Sequence, residues 1–496
     1  MSDAGDAIGV AGATGEEERA RAAEGSCAAE GACTTEGACA SSADSEGAAS
    51  LWRHPVRWLG GALACGAVGG AVAVMLSEVA RLAEQAFRVD IRLGALLPLL
   101  VAASWLAYRV LGARFSTGTL DVVAAARLDR PVSPRVAPAI VAATALTLVG
   151  GGSVGKEGAA LQAGGSLAAG LAARLRLGPG SYRVMVSAGM VGAFAALMGA
   201  PFAAIAFVVE VVRPSARELR DARIVCLPAA ALAAWGVTLL AGGRGSWAHL
   251  VSVGSWTAAV PEVACIAVIG AAFGFGFTIT ARLVHGLSKE LFGSQLTRLM
   301  AGAVLVVALL AFGGWVASGT GATQIEQAFS GLPVGFSDAL WKVQLTAVCL
   351  GFGMKGGEIM PSLCVGALAG AAWAHMTGAP IDLACAVGMI ASFSASTRCP
   401  VAAALLALEW FGPACALFAL VAAGVGYLPA RSLNLYDGLS WDIPLLAVGS
   451  SGPRRARAKG GASAPSGADR PAASGAEASG EADSAQEEAS AFGRRR

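Results

Sequence analysis

The sequence predicts an all-α polytopic membrane protein. Of its 496 residues, 55% are hydrophobic and only 14% are charged, and the mean hydropathy is +0.62. Soluble globular domains carry roughly 25% charged residues, and most charges of this chain crowd its two ends. This composition excludes a soluble enzyme, a secreted disulfide scaffold and a nucleic-acid-binding protein. The net charge of +2 indicates no particular partner.

Apolar runs follow one another along the middle of the chain, separated by short Gly, Pro and Arg segments. A full membrane span needs about 20 apolar residues, and several of these runs are shorter and are interrupted by Gly or Pro. Half-length, interrupted helices are typical of transporters, which use them to place backbone ends in the middle of the bilayer. The runs lie near 58–80, 94–112, 137–150, 157–175, 183–200, 202–212, 222–241, 259–283, 297–318, 340–354, 361–376, 383–395, 399–411 and 413–429.

Two membrane halves between two polar tails make up the predicted domain organisation. Residues 1–50 and 449–496 are rich in Ala, Gly, Ser and Glu and lack an apolar period, which predicts disordered tails. The membrane region divides into a first half, residues 51–250, and a second half, residues 251–448. Arginines beside segment ends, such as Arg213, place those ends and both termini in the cytoplasm by the positive-inside rule.

The cysteines indicate neither a disulfide framework nor a metal centre. Cys27, Cys33 and Cys39 recur every six residues in the first tail, without a histidine and without the spacing of a zinc site. Repeat slippage in a disordered tail is therefore favoured over metal binding. The other eight of the 11 cysteines lie in apolar runs, where a free thiol behaves as a small hydrophobe. We expect no cofactor and no metal site.

The two halves contain the same features in the same order. Each has a Gly-x-Glu that opens an apolar helix, and about 40 residues later a Pro that opens another helix, with a Glu nine residues beyond it. Two related halves place the functional site at their interface near the membrane midplane. The matched pairs are Glu157 and Glu358, Pro201 and Pro400, and Glu210 and Glu409.

Residues 150–157 read GGGSVGKE and differ in one position from the phosphate-binding loop G-x-x-x-x-G-K-[ST]. Glu157 stands where a hydroxyl should bind magnesium, and its carboxylate would repel phosphates. The segment also lies between two membrane runs instead of following a buried strand. A nucleotide-driven membrane protein would further need a soluble domain with a second acidic magnesium site, which the sequence lacks.

The same glycines favour an anion site inside the membrane. Gly152, Gly155 and Gly158 allow the chain to turn and start a helix, whose free N–H groups and dipole attract anions. Glu157 can fill that site as a tethered anion and leave it when protonated, so that one residue gates the site and carries a proton. A carboxylate in the bilayer core costs about 2.5–3.5 kcal/mol, so its presence needs a reason. The alternative is a water-facing helix start at which Glu157 pairs with Lys156.

These motifs resemble the CLC family of chloride channels and proton-coupled antiporters. Residues 152–172 and 187–214 are similar to the family patterns G-[RK]-E-G-P-x-x-Q-x-G and N-A-P-x-x-G-x-x-F-x-x-E. In the second half, GGEIMPSLCVGALAG (356–370) resembles the G-x-F-x-P element, and STRCPVAAALLALEW (396–410) resembles the closing R-x-P helix. The resemblance covers most of the chain between the tails.

The resemblance implies a fold, a partner and a set of site residues. The expected fold is an inverted repeat of about 18 full and partial helices, assembled as a homodimer with one anion pathway in each subunit. Glu157 matches the external gating glutamate, which transfers the proton. Tyr436 matches the tyrosine that closes the inner end of the pathway, although an interfacial aromatic is its alternative. The anion-binding residues implied are Gly155, Lys156, Gly158, Ser116, Thr117, Ile359, Met360 and Tyr436.

The match is poor at FSTGTLDVV, where the family has G-S-G-x-P with a serine at the central anion site. Leu120 replaces the proline, and the choice between the hydroxyls of Ser116 and Thr117 stays open. A second departure is Val211, because chloride antiporters of the family have a proton-relaying glutamate there. Glu210 is expected to be structural and to pair with Arg213 one turn away.

A third departure is Glu358, in GGEIMP, where the common family pattern has an apolar residue. A carboxylate so close to the anion should disfavour chloride unless it is protonated or takes part in the mechanism. Together with Val211, it resembles the bacterial fluoride/proton antiporters of the family. The hypothesis is that Glu157 exchanges between the anion site and an outward position, and that Glu358 selects fluoride.

The predicted function is therefore transport and not enzymatic catalysis. The chain exports fluoride in exchange for protons across a bacterial inner membrane, which it crosses several times. A passive chloride channel, or a chloride/proton antiporter of the same family, is the alternative, because channel members also lack the glutamate at Val211. Glu358 separates the two interpretations in sequence.

Overall fold

The chain is helical throughout the part that the structure describes. Within these residues it forms 17 α-helices, four short 3-10 helices and one isolated antiparallel bridge. The predicted tails, 1–50 and 449–496, lie outside them, as does the predicted boundary at residue 250. The structure, a computed structural model, describes residues 54–178, 180–242, 251 and 256–436, with the backbone alone for 256–259.

The helices of the first half alternate between long spans and short segments. Three 3-10 or α-helical stretches of four to six residues connect some of them, at Ile91–Leu96, Ala216–Arg220 and Ala222–Val225. The helices are α1 (Pro55–Val89), α2 (Leu97–Val110), α3 (Thr119–Arg127), α4 (Val136–Val149), α5 (Glu157–Leu175), α6 (Ser181–Met198), α7 (Pro201–Val212), α8 (Ala216–Arg220) and α9 (Cys226–Leu240).

The second half repeats this order with nearly the same helix lengths. The first helices of the halves have 35 and 36 residues, the helices that follow Gly-x-Glu have 19 each, and those that begin with proline have 12 each. The predicted repeat of full and partial helices is thus confirmed. The helices are α10 (Trp256–Leu291), α11 (Gln295–Ala311), α12 (Ala322–Phe329), α13 (Phe336–Gly351), α14 (Ile359–Thr377), α15 (Ile381–Thr397), α16 (Pro400–Phe411) and α17 (Ala416–Ala430).

Within the described ranges, seven helical segments are long and apolar enough to cross a membrane, and five further apolar helices have between 10 and 17 residues. The expected mixture of full and partial spans is therefore present. Three short helices are not among the predicted runs: α3, α8 and α12. Their sequences, such as TLDVVAAAR and ATQIEQAF, contain charged or amide side chains, so they produce no apolar run.

The innermost helices are α5 and α6 in one half and α14 and α15 in the other. Small side chains let these pairs approach closely: a Cβ on Gly164 of α5 would lie 2.6 Å from the carbonyl oxygen of Gly189 of α6. In a bilayer, where lipid is as apolar as leucine, such close backbone packing is what holds helices together. The residues at the starts of α5 and α14 therefore rest on tightly packed helices.

Two glutamates join the halves reciprocally. The Glu210 carboxylate, at the end of α7, accepts the N–H groups of Val401 (3.0 Å) and Ala402 (2.8 Å) at the start of α16. Glu409, at the end of α16, likewise accepts the N–H groups at the start of α7, with distances of 3.0 and 2.9 Å. Because α7 and α16 begin with proline, these are the first free donors of each helix. The expected pairing of Glu210 with Arg213 is thus wrong: Glu210 caps a helix of the other half.

Candidate functional site

The starts of α5 and α14 meet where the two halves of the chain cross. The N–H of Gly155 donates to the carbonyl oxygen of Gly357 at 2.6 Å, and the N–H of Gly357 donates back to Gly155 at 2.5 Å. Gly155 stands two residues before α5, and Gly357 stands two residues before α14. The bridge therefore brings together the N-terminal ends of α5 and α14, one from each half, with their free N–H groups.

The crossing leaves no space for a side chain larger than that of glycine. A Cβ on Gly158 would lie 2.9 Å from the Cα of Gly357, and a Cβ on Gly357 would lie 2.5 Å from the nitrogen of Gly158. The same Cβ on Gly158 would be 3.2 Å from both the Glu358 Oε2 and the Thr119 Oγ1 atoms. Gly158 thus marks a point around which a carboxylate, a hydroxyl and two helix ends converge.

Glu157 crosses from its own half to the helix of the other. Its side chain is completely buried, and its Oε2 accepts the N–H of Met360, in the first turn of α14, at 3.3 Å. Its Oε1 is buried without a hydrogen-bond partner among the described residues. A carboxylate at a helix N-terminus occupies the place of a bound anion, so the geometry is that of the tethered anion expected from the sequence.

Lys156 points away from this carboxylate. Its ammonium group donates to the Ser77 hydroxyl of α1 at 2.7 Å. Because Glu157 is fully buried and forms no ion pair with Lys156, the alternative of a water-facing, paired helix start is wrong. The Lys156 side chain, expected at the anion, therefore bonds to α1 instead.

Glu358 is bound by Tyr436. The tyrosine hydroxyl donates to the Glu358 Oε1 at 2.6 Å, a short distance for a charge-assisted O–H···O bond. The ring of Tyr436 is only 2% exposed and packs edge-on against Phe207, with centroids 6.0 Å apart. The N–H of Tyr436 donates to the Asn434 Oδ1 at 2.9 Å, which fixes its backbone. The alternative for Tyr436, an aromatic at the membrane interface, is thus wrong.

The hydroxyls of the segment before α3 are separated. Ser116 is exposed and lines a cavity, whereas Thr117 offers its carbonyl oxygen to the Lys355 ammonium at 2.9 Å. The hydroxyl that faces the crossing is that of Thr119, which accepts from the Gln162 amide at 3.0 Å. Thr119 and Gln162 were not expected at the site. Asp121, which caps the start of α3, is the sequence signal that would have placed Thr119 at a helix start.

The remaining expected residues lie in the first turns of α14. Ile359 is completely buried and Met360 is 2% exposed, and the backbone N–H of Met360 donates to Glu157. The two apolar side chains therefore exclude water behind the helix end. This burial strengthens the attraction between the helix N–H groups and an anion, because the local dielectric is low.

Two cavities approach the crossing. One, of about 350 Å³, is lined by Lys156 and by charged residues of α1 that include Arg81, Glu84 and Arg88; we call it the Lys156 cavity. The other, of about 360 Å³, is lined by Ser116, Gln162, Glu358 and Tyr436 among others; we call it the Tyr436 cavity. Glu157 lines neither cavity. In the chain it stands between Lys156, which lines the first cavity, and Gly158, which lies against Glu358 beside the second. Glu358 itself lines the second cavity, so both buried carboxylates lie next to a cavity wall.

Comparison with known proteins gives consistent matches. The sequence model of the family described as "Voltage gated chloride channel" matches residues 99–431. A "Chloride/fluoride channel protein" from Pseudomonas syringae pv. tomato is 32% identical over 359 residues, which are 69% of this chain and 77% of that relative. The family model spans the crossing and most of the helices around it.

Solved structures show the same arrangement of helices. The structure of "a CLC-type fluoride/proton antiporter" superposes with a TM-score of 0.71 and 25% identity, covering 76% of this chain and 96% of that one. The structure of "a slow cyanobacterial Cl-/H+ antiporter" superposes with a TM-score of 0.67, covering 76% of this chain and 94% of that one. At 19% identity, the second likeness shows the fold alone.

Proposed function

Since this chain belongs to the voltage-gated chloride channel (CLC) family of anion transporters, we propose that it is a transporter and not an enzyme, and that it exports fluoride in exchange for protons. The observation that carries the proposal is the placement of Glu358. Its carboxylate faces Gly158 at the crossing and is held there by the Tyr436 hydroxyl. A second acid therefore stands within a few ångströms of the position that an anion takes when Glu157 leaves.

A carboxyl group beside the anion favours fluoride over chloride. Two negative charges at such close range repel each other, and a bound chloride next to Glu358 would add to that repulsion. Fluoride is a strong hydrogen-bond acceptor and can share a proton with a carboxyl group, which turns the repulsion into a hydrogen bond. The names of two similar proteins, a chloride/fluoride channel protein and a CLC-type fluoride/proton antiporter, support this choice.

The exchange follows from the two states of Glu157. As an anion it accepts the N–H of Met360 and fills the helix end, as in this structure. When the unpartnered Oε1 takes up a proton, the side chain loses its charge and with it the attraction to the helix N-terminus. The protonated side chain swings out, fluoride takes the vacated donor, and the proton moves opposite to the fluoride. One proton and one anion thus compete for the same place.

The proton does not use the route of chloride antiporters in this proposal. Val211 occupies the position of the second, proton-relaying glutamate, and its buried side chain has no group that binds a proton. The neighbouring Glu210 is committed to the cap of α16. The carboxyl groups of the pathway itself therefore carry the proton.

The direct test uses purified protein in liposomes loaded with fluoride or with chloride. Ion-selective electrodes follow the efflux while a dye reports the internal pH. Fluoride efflux coupled to proton influx, with chloride much slower, is the expected result. Fast chloride efflux without proton movement would instead make the protein a passive chloride channel. This is the second candidate, and Val211 favours it. Proton-coupled chloride efflux would make the protein a chloride/proton antiporter.

The proposed transporter is a homodimer in a bacterial inner membrane with both termini in the cytoplasm. Exposed leucines on α9 and α17, among them Leu232 and Leu420, provide apolar surface for a second copy or for lipid. Crosslinking in native membranes with a lysine-reactive reagent would yield a band at twice the chain mass. A single-chain band at every reagent concentration, combined with monomers in detergent, would contradict the dimer.

A further inference from the structure

A third cavity lies where α6, α7, the short helix α8 and the start of α9 meet. Its volume is about 70 Å³, which is room for several water-sized groups. Within the described residues, it shares no lining side chain with the Lys156 cavity or the Tyr436 cavity. We call it the Arg223 cavity. Its walls are mainly aliphatic and come from Val184, Val208, Val209, Val212, Ile224 and Leu227.

Arg183, which lines this cavity, has a buried donor without a partner. It lies in the first turn of α6, pairs with Glu218 and donates to the carbonyl oxygen of Arg127 at 2.9 Å. Its Nε is buried, and no described residue accepts a hydrogen bond from it. A buried donor that stays unpaired is costly. The cavity therefore favours a ligand that brings a hydrogen-bond acceptor.

Arg223 supplies a second guanidinium. Its Nε donates to the Asp221 carboxylate at 2.9 Å, and the guanidinium lies over the ring of Trp58, 5.4 Å from the centroid. Its Nη1 lies against Gly180, because a Cβ at that position would be only 2.8 Å away. Gly180 directly precedes α6, so its missing side chain lets Arg223 approach the start of the helix that carries Arg183. One cavity therefore collects two guanidinium groups.

Both acids that line the Arg223 cavity are paired with its arginines. Glu218 pairs with Arg183, and Asp221 pairs with Arg223, whose side chains are each 17% exposed. The opposite charges cancel within each pair, and each acid holds its guanidinium in place. The lining thus offers fixed N–H donors without a surplus of negative charge.

The segment that carries α8 adds positive charge around this cavity. Residues 213–223 contain four arginines and two acids. Arg217 and Arg220 are exposed on α8, and the Leu219 side chain between them is 44% exposed. An exposed leucine among arginines is typical of a segment at a membrane surface, where basic side chains meet anionic headgroups. The Arg223 cavity therefore lies beside a segment suited to lipid headgroups.

We propose that the Arg223 cavity binds one phospholipid with an anionic headgroup, of the phosphatidylglycerol type. Its phosphate diester carries only acceptor oxygens, which match the unpaired Nε of Arg183 and the forked donors of guanidinium groups. The glycerol backbone and the first methylene groups cover the valines of the walls, which inorganic phosphate would leave bare. In the proposed orientation the lipid belongs to the cytoplasmic leaflet. Because it joins α6, α7 and α9, its binding stabilises the folded protein.

The test measures the thermal unfolding temperature of the purified full-length protein in neutral detergent while phosphatidylglycerol is added. A ligand that binds only the folded state raises this temperature in proportion to its occupancy of the site. Phosphatidylcholine, whose choline cancels the phosphate charge, and inorganic phosphate are the comparison ligands. We expect a saturable rise with phosphatidylglycerol and none with the other two.

Two kinds of variant separate charge from space. In the double variant Arg217→Gln/Arg220→Gln, the half-saturating concentration of phosphatidylglycerol should rise about fivefold or more, as expected for basic residues near an anionic surface. Arg183→Gln should weaken binding by a similar factor. Val184→Phe fills the cavity without changing a charge and should remove the saturable rise.

Arg109→Gln is the matched control for charge. It removes an exposed arginine that stacks on Trp105 and lies outside the Arg223 cavity, and it should leave the half-saturating concentration unchanged. If Val184→Phe fails to fold, Val209→Met fills the same cavity from α7 and answers the same question.

Each contrary outcome would overturn the site. An equal rise with phosphatidylcholine would remove the preference for an anionic lipid, and an equal rise with inorganic phosphate would assign the cavity to a free anion. An unchanged half-saturating concentration in both arginine variants would remove the arginines from the site. Saturable binding that survives the filled cavity would place the lipid on the surface outside it. None of these measurements uses transport, so the result is independent of the proposed function.

Discussion

Glu157 and Glu358 occupy matched places in the two halves but have different hydrogen-bond partners. Glu157 is the first residue of α5, yet it binds the first turn of α14, whereas Glu358, at the cap of α14, is bound by Tyr436. In the proposed exchange, a free anion takes over the helix end that holds the first carboxylate, while a hydroxyl holds the second in place. The same position in the repeat then supplies a movable acid in one half and a fixed one in the other.

Replacing Glu157 with Gln should abolish proton coupling. The amide carries no charge and takes up no proton, so it can neither compete with fluoride at the helix end nor carry a proton across. The measurement is the internal pH change per fluoride released from liposomes, which should fall to the background of protein-free vesicles. Persistent coupling in Glu157→Gln would refute its assignment as the proton carrier.

Replacing Glu358 with Gln should lower the preference for fluoride over chloride by about tenfold, or about 1.4 kcal/mol. The amide no longer repels a chloride and no longer shares a proton with a fluoride. Relative efflux rates of the two ions give the preference directly. Tyr436→Phe removes only the hydrogen bond to Glu358 and should shift the preference in the same direction.

The exposed Glu290 of α10, which lines neither cavity, supplies the control for this pair. Glu290→Gln should leave the fluoride preference unchanged. If Glu358→Gln kept the fluoride preference of the wild type, selection would reside elsewhere in the pathway.

At the scale of elements, one face of α13 holds the loop that carries Glu157. The Lys342 ammonium, fully buried, donates to the carbonyl oxygens of Ala317 (3.0 Å) and Gly319 (2.8 Å). The N–H of Gly319 in turn donates to Gly152, in the loop before α5, at 3.2 Å. One α-helical turn further along α13, the Thr346 hydroxyl bonds the Ser153 hydroxyl at 2.7 Å. The position of the loop before Glu157 is therefore set by a helix of the opposite half.

Replacing Thr346 with Val should loosen this loop. The substitution leaves the buried Ser153 hydroxyl without its partner, which costs about 1–3 kcal/mol of stability. We expect a lower thermal unfolding temperature in detergent together with a reduced ratio of protons to fluoride. Gln344→Ala changes an exposed position of the same helix and should alter neither quantity. An unchanged transport ratio in a destabilised Thr346→Val would limit α13 to a structural role.

The reciprocal caps of α7 and α16 make a different prediction, because they involve stability alone. Glu210→Gln and Glu409→Gln should each reduce the free energy of unfolding by about 1–2 kcal/mol, since each weakens a charged helix cap. The two values should agree closely, because the two caps have the same geometry. Proton coupling should stay at the wild-type level in both variants. Coupling that fell in Glu210→Gln but not in Glu409→Gln would instead make Glu210 a proton relay.

The sequence predicts the elements that have an unbroken apolar pattern and misses those defined by tertiary contacts. The bounds of α5 agree with the predicted segment at 157–175, because Glu157 and the apolar run that follows mark both its start and its length. The sequence does not predict the short helices α3 and α12, because their charged residues interrupt the apolar period. Thr119 gains its place from other elements, which no local pattern reveals.

The same distinction applies to the site. Glu157, Glu358 and Tyr436 come together as the repeat and the family resemblance imply. What the sequence does not contain is their partners: that Glu157 reaches Met360, or that Tyr436 binds Glu358, depends on how the halves cross. Glu210 is the clearest case. The sequence predicts an ion pair with Arg213 one turn away, whereas the N–H groups that bind Glu210 lie about 190 residues further along the chain.

At the scale of the whole molecule, the twofold arrangement of the halves explains where the site lies. Each half contributes one interrupted helix whose free end stops at the crossing, and the two cavities, of about 350 and 360 Å³, approach it from the sides of Lys156 and of Tyr436. Under the proposed function, transport occurs only as Glu157 exchanges with ions at the crossing, which is the behaviour of an antiporter.

The most direct measurement is therefore uphill transport. Liposomes containing the purified protein receive equal fluoride inside and outside, a clamp on the membrane potential, and a pH gradient with the outside acidic. We predict that protons entering down their gradient drive fluoride out against the fluoride gradient that builds up. An external electrode then records more fluoride than at the start, and Glu157→Gln abolishes this rise. No net fluoride movement under the clamped gradient, with fast downhill efflux of fluoride or chloride in the same vesicles, would contradict coupled exchange and identify a passive channel.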